Sequence, residues 1–279
     1  MNPSPICPVS RLDSVLLATD RSEFSKGAIL EAIDFAKRCN SKLYVVSVLE
    51  TNPEYETIGS KFFEKEEAEV ASHLASIKAN AAAEGLNCEI IFHQGGEPCR
   101  HILDEATKKN VNMIIVGRRG HKGLGKLLVG SVAAKVIGYA ACNVLVVPKE
   151  SRIGYQKVLV ASDGSEHGNA AVAQAISIAG RCGSSLVVLS SVRTANEIQE
   201  AQFITESAVK MAQSQGVQAE AVTPIGRSYE TIVETAGGRG VDLIVMGAYG
   251  KSGLVRILMG SATERVIALA GCSVLVVTT

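Results

Sequence analysis

Two stretches of this chain carry residues whose types and spacing suit phosphate binding. Residues 111–137, VNMIIVGRRGHKGLGKLLVGSVAAKVI, and residues 241–267, VDLIVMGAYGKSGLVRILMGSATERVI, both read G-x2-G-x9-G-S. The first copy places Gly117, Gly120, Gly130 and Ser131, and the second Gly247, Gly250, Gly260 and Ser261. Glycines permit positive φ and let backbone N–H groups approach an anion with no Cβ in the way. A Gly-Ser pair opening a helix adds N–H groups, a hydroxyl and the positive end of the helix dipole; capping by the serine is compatible with that role. The basic residues Arg118, Arg119, His121, Lys122 and Lys126 in the first loop, and Lys251 and Arg256 in the second, either neutralise phosphate oxygens or face water.

A nucleotide needs more than a phosphate cradle. The apolar runs SVLLATD and KVLVASD end in Asp20 and Asp163. A carboxylate at a strand's carboxyl end can accept hydrogen bonds from a ribose hydroxyl or an adenine amino group, or it can cap the next helix. Other phosphate motifs fail on their own chemistry. In GHKGLGKL, Leu127 stands where a Walker loop needs a magnesium-binding Ser or Thr, and GKS at Gly250 lacks the upstream glycine. The dinucleotide fingerprint is absent after the first strand, which continues DRSEFS or DGSEHG. The histidines His73, His93, His101, His121 and His167 have no counterparts between the copies, so no Ser-His-Asp or Cys-His set is visible.

The elements that position these residues are themselves duplicated. VNMIIV and VDLIVM suit parallel strands covered on both faces, which places the glycines where open α/β sheets bind ligands. Ser22 and Ser165 are expected to cap the helices after the first strands. Those helices carry Phe24, Ala28, Ala32, Phe35 and Cys39 in one copy, and His167, Ala171, Ala175, Ile178 and Cys182 in the other, at amphipathic spacing. Second strands LYVVSVLE and LVVLSSVR lead to helices with stripes Phe63, Val70, Leu74, Ile77, Ala81 and Ile204, Ala208, Met211. Only the first copy inserts the polar loop TNPEYETIGS, with Pro53 and Gly59. Short third strands begin at Cys88 and Ala219, Pro98 fits a helix first turn, Ser228 is a candidate cap, and NVLVVP and SVLVVT close each half. Each half therefore reads βαβαβαβαβ. The expected division is 1–149 and 150–279, with a leader expected to be disordered and a polar linker at 149–156.

At 279 residues the chain has room for two cores, and 28 basic against 28 acidic residues argue against a general nucleic-acid or membrane-surface binder. No apolar run reaches membrane-spanning length, and MNPSPICPVSRLD does not read as a signal peptide, so a cytoplasmic location is expected. The seven cysteines include no CxxC; Cys39 with Cys182 and Cys142 with Cys272 read as small buried apolar residues. Cys88, His93, Cys99 and His101 match no usual zinc spacing.

With strand one VLLATDRS and VLVASDGS, the DLIVMG-like strand, the G-x2-G-x9-G-S loop and closing VLVVP in order, the chain resembles the universal stress protein family in its tandem form. That resemblance implies two Rossmann-like α/β domains of the adenine nucleotide alpha hydrolase type, each a parallel five-stranded sheet in order 3-2-1-4-5. It also implies ATP, ADP or AMP as ligand, with Mg2+ or Mn2+ held by the phosphates. By position, the first-half contacts would be Ala18, Thr19, Asp20, Val48, Val116, Gly117, Arg119, Gly120, Gly130, Ser131 and Val132. Those of the second half would be Ala161, Ser162, Asp163, Val192, Met246, Gly247, Tyr249, Gly250, Gly260, Ser261 and Ala262. The family's Asp-Gly-Ser survives at Asp163-Gly164-Ser165, whereas Arg21 replaces the glycine in the first half, so the second site is expected to be the fuller one. The resemblance further implies fifth strands that join the halves into an intramolecular pseudo-dimer, open to homodimer formation. Three functions are compatible with these residues: a nucleotide-dependent stress-response regulator, a nucleotide-independent adaptor, and a slow ATP-hydrolysing or phosphoryl-transfer enzyme.

Overall fold

The computed structural model describes residues 6–9, 12–51, 60–120, 129–251 and 259–278. His121, Lys122, Lys126, Arg256, Pro53 and Gly59 lie outside the described residues. The first half runs β1 (Ser14–Ala18), α1 (Lys26–Cys39), β2 (Lys42–Glu50), α2 (Ser60–Ala83), β3 (Cys88–Gly95), α3 (Pro98–Lys108), β4 (Met113–Gly117), α4 (Ser131–Tyr139), β5 (Asn143–Val147). The second runs β6 (Lys157–Ala161), α5 (Glu166–Cys182), β7 (Ser185–Leu189), α6 (Ile198–Ser214), β8 (Ala219–Val222), α7 (Ser228–Gly238), β9 (Leu243–Gly247), α8 (Ser261–Leu269), β10 (Ser273–Val277).

The strands form one ten-stranded sheet, β3-β2-β1-β4-β5-β10-β9-β6-β7-β8. Each half has the expected 3-2-1-4-5 order and parallel pairing, and β5 meets β10 antiparallel with Leu145 opposite Leu275. Between its two edge strands the sheet is buried on both faces, which is why the inner strands are mostly apolar, whereas β3 and β8 at the edges include exposed positions. Val15 and Leu17 point into one core with α1, α2, α5 and α6, while Leu16 and Ala18 point into the other with α3, α4, α7 and α8. Both cores run across the β5–β10 seam, so neither half ends in an exposed apolar wall.

Several local expectations are corrected. Val9 and Leu12 of the leader are buried, and Cys7 is bonded to Cys39, so Cys39 is a disulfide partner rather than a packed thiol. The segment 149–156 is a docked strap: Ser151, Ile153 and Tyr155 are buried in alternation, and Asp242 accepts the amides of Tyr155 and Gln156. Ser165 caps α5 by accepting from the Gly168 amide, but Ser22 gives its hydroxyl to Asp20 and caps nothing. The capping position of α7 is Arg227, one residue before Ser228. In α6 the buried stripe is Ala201, Thr205, Ala208 and Ala212, while Met211 faces outward. A small-residue stripe lets that helix lie close to the sheet.

Candidate functional site

The carboxyl ends of β1 and β4 open on a cavity of about 920 Å³ in the first half. All the first-half positions named above line it: Ala18, Thr19, Asp20, Val48, Val116, Gly117, Arg119, Gly120, Gly130, Ser131 and Val132. The β1 end lies beside the β4 end because the two strands pair directly, Ala18 opposite Val116. Phe63, Glu66 and Val70 of α2 and Pro98, Cys99 and Ile102 of α3 form further walls, which the sequence did not mark as site residues.

The glycines act differently from the expectation. None of Gly117, Gly120, Gly130, Gly247, Gly250 or Gly260 has positive φ. What they supply is close approach. A Cβ on Gly120 would lie 2.5 Å from Asp20 Oδ2, and one on Gly250 would lie 2.6 Å from Asp163 Oδ2. The glycine loop is thus laid directly against the aspartate of the neighbouring strand. Gly130 N–H closes the loop base on Arg118 O at 2.9 Å, and Gly260 N–H does the same on Ala248 O at 3.0 Å. Ser131 and Ser261 are the first residues of their helices, with glycine at the capping position, so neither serine serves as an N-cap.

Asp163 shows how tightly this contact is made. Its Oδ2 accepts from the Lys251 amide at 2.7 Å and its Oδ1 from the Ser165 amide at 3.0 Å. Burial works to raise its pKa, but these bonds and that of the Ser165 hydroxyl outweigh it and hold the carboxyl below its ordinary value. Asp20 Oδ1 accepts from both the amide and the hydroxyl of Ser22, at 3.1 and 2.7 Å. Each aspartate therefore organises the loop that follows its own strand, β1 for Asp20 and β6 for Asp163, and both also line the cavities.

Arg21 adopts φ 68°, the left-handed conformation that Gly164 takes at φ 78° in the second half. The turn is kept although the glycine is not. Its guanidinium is drawn to α2, reaching Glu66 at 2.5 Å and Glu69 at 3.2 Å, and the cavity remains open. Next to it, His73 Nε2 lies 3.0 Å from Thr19 Oγ1, a spacing that invites a nucleophile–base reading. The hydrogen-bond directions argue otherwise. Ser25 Oγ donates to Ser22 O, so Thr19 must donate across its 3.0 Å contact with Ser25, leaving His73 Nε2 as donor to Thr19. Burial first, and Arg21 second, lower the His73 pKa.

The second half contains a cavity of about 200 Å³ lined by Ala161, Ser162, Asp163, Met246, Gly247, Tyr249, Gly250, Gly260, Ser261 and Ala262. Val192 is not among its walls; it is buried in a bridge to Ile225, and Ser191 faces the cavity instead. The second cavity is thus the smaller of the two, although the family's Asp163-Gly164-Ser165 stands beside it. Beside this cavity Gly164 lies against Ile204 of α6, and Lys251 is tied to Glu200 of the same helix at 2.6 Å. The polar ends of Arg118 and Tyr249 bond the opposite half: Arg118 donates to Ala270 O at 2.6 Å, and Tyr249, whose ring lines the second cavity, donates to Gly138 O at 3.0 Å. Among the described residues no group of three or more His, Cys, Asp or Glu is placed to hold a metal ion, and His93 and His101 stack at 4.9 Å.

A parallel sheet with a cleft at its strand ends, a carboxylate after β1 and a glycine loop after β4 defines a Rossmann-like α/β fold built twice. Comparison with known proteins makes this particular. The chain belongs to the universal stress protein family, whose sequence pattern matches residues 12–148 and again 154–278. It is 30% identical over 148 residues to a universal stress protein of Synechocystis sp., covering 48% of this chain and 96% of that one. It is 34% identical over 146 residues to one of Methanocaldococcus jannaschii, covering 50% and 83%. The crystal structure of a universal stress protein from Archaeoglobus fulgidus superposes with a TM-score of 0.79 over 95% of this chain and 96% of that chain. At 21% identity that likeness concerns the fold. No helix among the described residues is long and apolar enough to cross a membrane.

Proposed function

We propose that this chain binds an adenine nucleotide, ATP in the first instance, and uses its occupancy to set the conformation offered to protein partners in a cytoplasmic stress response. The observation that carries this reading is the 920 Å³ cavity at the β1 and β4 ends, lined by every residue that the motif designates in the first half. Its volume lies in the range of small-molecule and cofactor sites. The fit is chemical as well. Backbone N–H groups at the start of α4 and the Arg119 side chain suit a polyphosphate, and Asp20 and the β1 end suit ribose and base. A divalent ion, Mg2+ or Mn2+, would be carried by the phosphates, since no described cluster is built to hold one.

The two sites are proposed to differ. The first, at about 920 Å³, is the principal nucleotide site; the second, at about 200 Å³, is the weaker one. The smaller cavity favours a second reading for residues 150–279, a half that serves as an adaptor without nucleotide. The division at residue 149 remains our proposal for where one domain gives way to the next. The β5–β10 pairing occupies both fifth strands, so a homodimer of the chain would form through other surfaces. Titration calorimetry with ATP tests the reading: about one strong site per chain is expected, and a stoichiometry of zero would refute it.

A further inference from the structure

The bonds made by Arg118 and Tyr249 form a crossed pattern between the halves. Tyr249 lies in the glycine loop of the second half, yet its hydroxyl donates to Gly138 O, in the last turn of α4. That helix begins at Gly130-Ser131, the cradle of the first site. Arg118 lies in the glycine loop of the first half, and its guanidinium donates to Ala270 O, the C-cap residue of α8. That helix begins at Gly260-Ser261, the cradle of the second site. The last carbonyls of a helix have no partner within it, so each bond satisfies an otherwise open acceptor.

The two bonds are not copies of one another. Arg118 aligns with Ala248 and Tyr249 with Arg119, so different side chains from adjacent loop positions do the same work in opposite directions. Arg118 and Tyr249 are both half-buried, and the backbone is hydrogen-bonded at Arg118 and at Ala248, the residue before Tyr249. Arg118 N–H bonds Val147 O at 3.1 Å, Ala248 N–H bonds Val277 O at 3.1 Å, and the Tyr249 ring sits 5.3 Å from that of His167. A short helix held at its carboxyl end by a firmly seated side chain presents its first N–H groups in one orientation. The nine-residue helices α4 and α8 are seated in the core by Val136 and Ile137 and by Val266 and Ile267, and the crossed bonds add a fixed point at each carboxyl end.

We infer that Tyr249 and Arg118 are crossed positioning residues, each seated in the glycine loop of one half and holding the helix that cradles the ligand of the other half. Their role as ligand-site determinants rests on the nucleotide reading above, whereas the crossed support does not. Ligand entering one loop would shift the anchor of the other cradle, coupling the sites through two hydrogen bonds.

The test uses the full chain with Tyr249→Phe, which removes only the hydroxyl, and Arg118→Met, which keeps the aliphatic stem. Hydrogen-exchange mass spectrometry without nucleotide is expected to show faster exchange in α4 for Tyr249→Phe and in α8 for Arg118→Met. Faster exchange in the helix of the same half, or in neither helix, would overturn the inference, as would uniform loosening of both halves together. ATP titration followed at peptides 129–134 should then show about five-fold weaker binding in Tyr249→Phe, the loss of one ordinary net hydrogen bond. Wild-type protein showing no ATP effect at those peptides would defeat the nucleotide reading alone. Unchanged ATP affinity beside an intact wild-type response would defeat the positioning role.

Discussion

Glu31 offers the most quantitative prediction. It lies in α1 with 2% of its surface exposed, against the strap that joins the halves. Its Oε1 accepts the Ile153 amide at 3.0 Å, while its Oε2 and the Tyr155 hydroxyl are buried with no hydrogen-bond partner among the described residues. Asp34 and Arg38 face it from α1 and Arg152 from the strap. Burial pushes its carboxyl from 4.5 up to about 7, Asp34 adds to the rise, and the Ile153 amide and the two arginines only partly oppose it. A carboxyl whose pKa is higher in the folded chain takes up a proton on folding. The cost of its charge is absent below pH 4.5, grows between 4.5 and about 7, and is complete above that. At about 1.4 kcal/mol per pH unit the full cost is about 3 kcal/mol. Glu31→Gln keeps an oxygen for Ile153 and removes the titration. With an unfolding entropy of about 2.1 cal/mol/K per residue, the gap in Tm between variant and wild type should widen by roughly 5 °C from pH 4 to pH 8. Differential scanning calorimetry at several pH values reads this directly. A gap that stays constant with pH would refute the argument.

Other consequences are equally accessible. Gly120→Ala puts a Cβ 2.5 Å from Asp20 Oδ2 and should weaken ATP binding at the first site by at least about ten-fold while the chain stays folded, as calorimetric titration and circular dichroism would show. The Cys7–Cys39 bond closes a loop of sequence separation 32, so a reductant or Cys7→Ser should cost about 3–4 kcal/mol by the loop-entropy relation; an unchanged melting curve would count against it. The Asp163 carboxyl is held below its ordinary 3.8, so its contribution is present above that pH and is lost as acid protonates it. The stability deficit of Asp163→Asn should therefore shrink in acid unfolding curves taken below about pH 4.

The strand runs and the repeated loop were readable because they depend on local pattern. SVLLA, MIIVG and LIVMG are apolar throughout, and only a sheet covered on both faces accommodates them. The candidate site was readable for the same reason, since Asp20 and Gly117 sit at the ends of paired strands. What escaped were contacts between distant residues. Nothing in the spacing tells that Gly120 must lack a Cβ because of Asp20, a hundred positions earlier in the chain. Nor does the polar character of 149–156 disclose that Ile153 and Tyr155 alternate into the core. The direction of Tyr249 is decided by a carbonyl in the opposite half, so its assignment as a contact of its own site missed where its hydroxyl goes. Arg21 reads in the sequence as an obstruction to the first site; the pull of Glu66 and Glu69 on its guanidinium is a contact across 45 positions or more that local pattern does not disclose.

The antiparallel union of β5 with β10 inside one polypeptide has a genetic consequence. In an assembly of two identical chains, every substitution appears twice, and a change that suits one cleft is imposed on its twin. Fusion removes that constraint. Arg21 can occur opposite Gly164, and Tyr249 opposite Arg119, because each codon now answers for a single place in the assembly. The covalent link thereby turns a duplicated cleft into a pair free to specialise, one chamber wide and the other narrow, at a fixed one-to-one ratio whatever the amount of protein made.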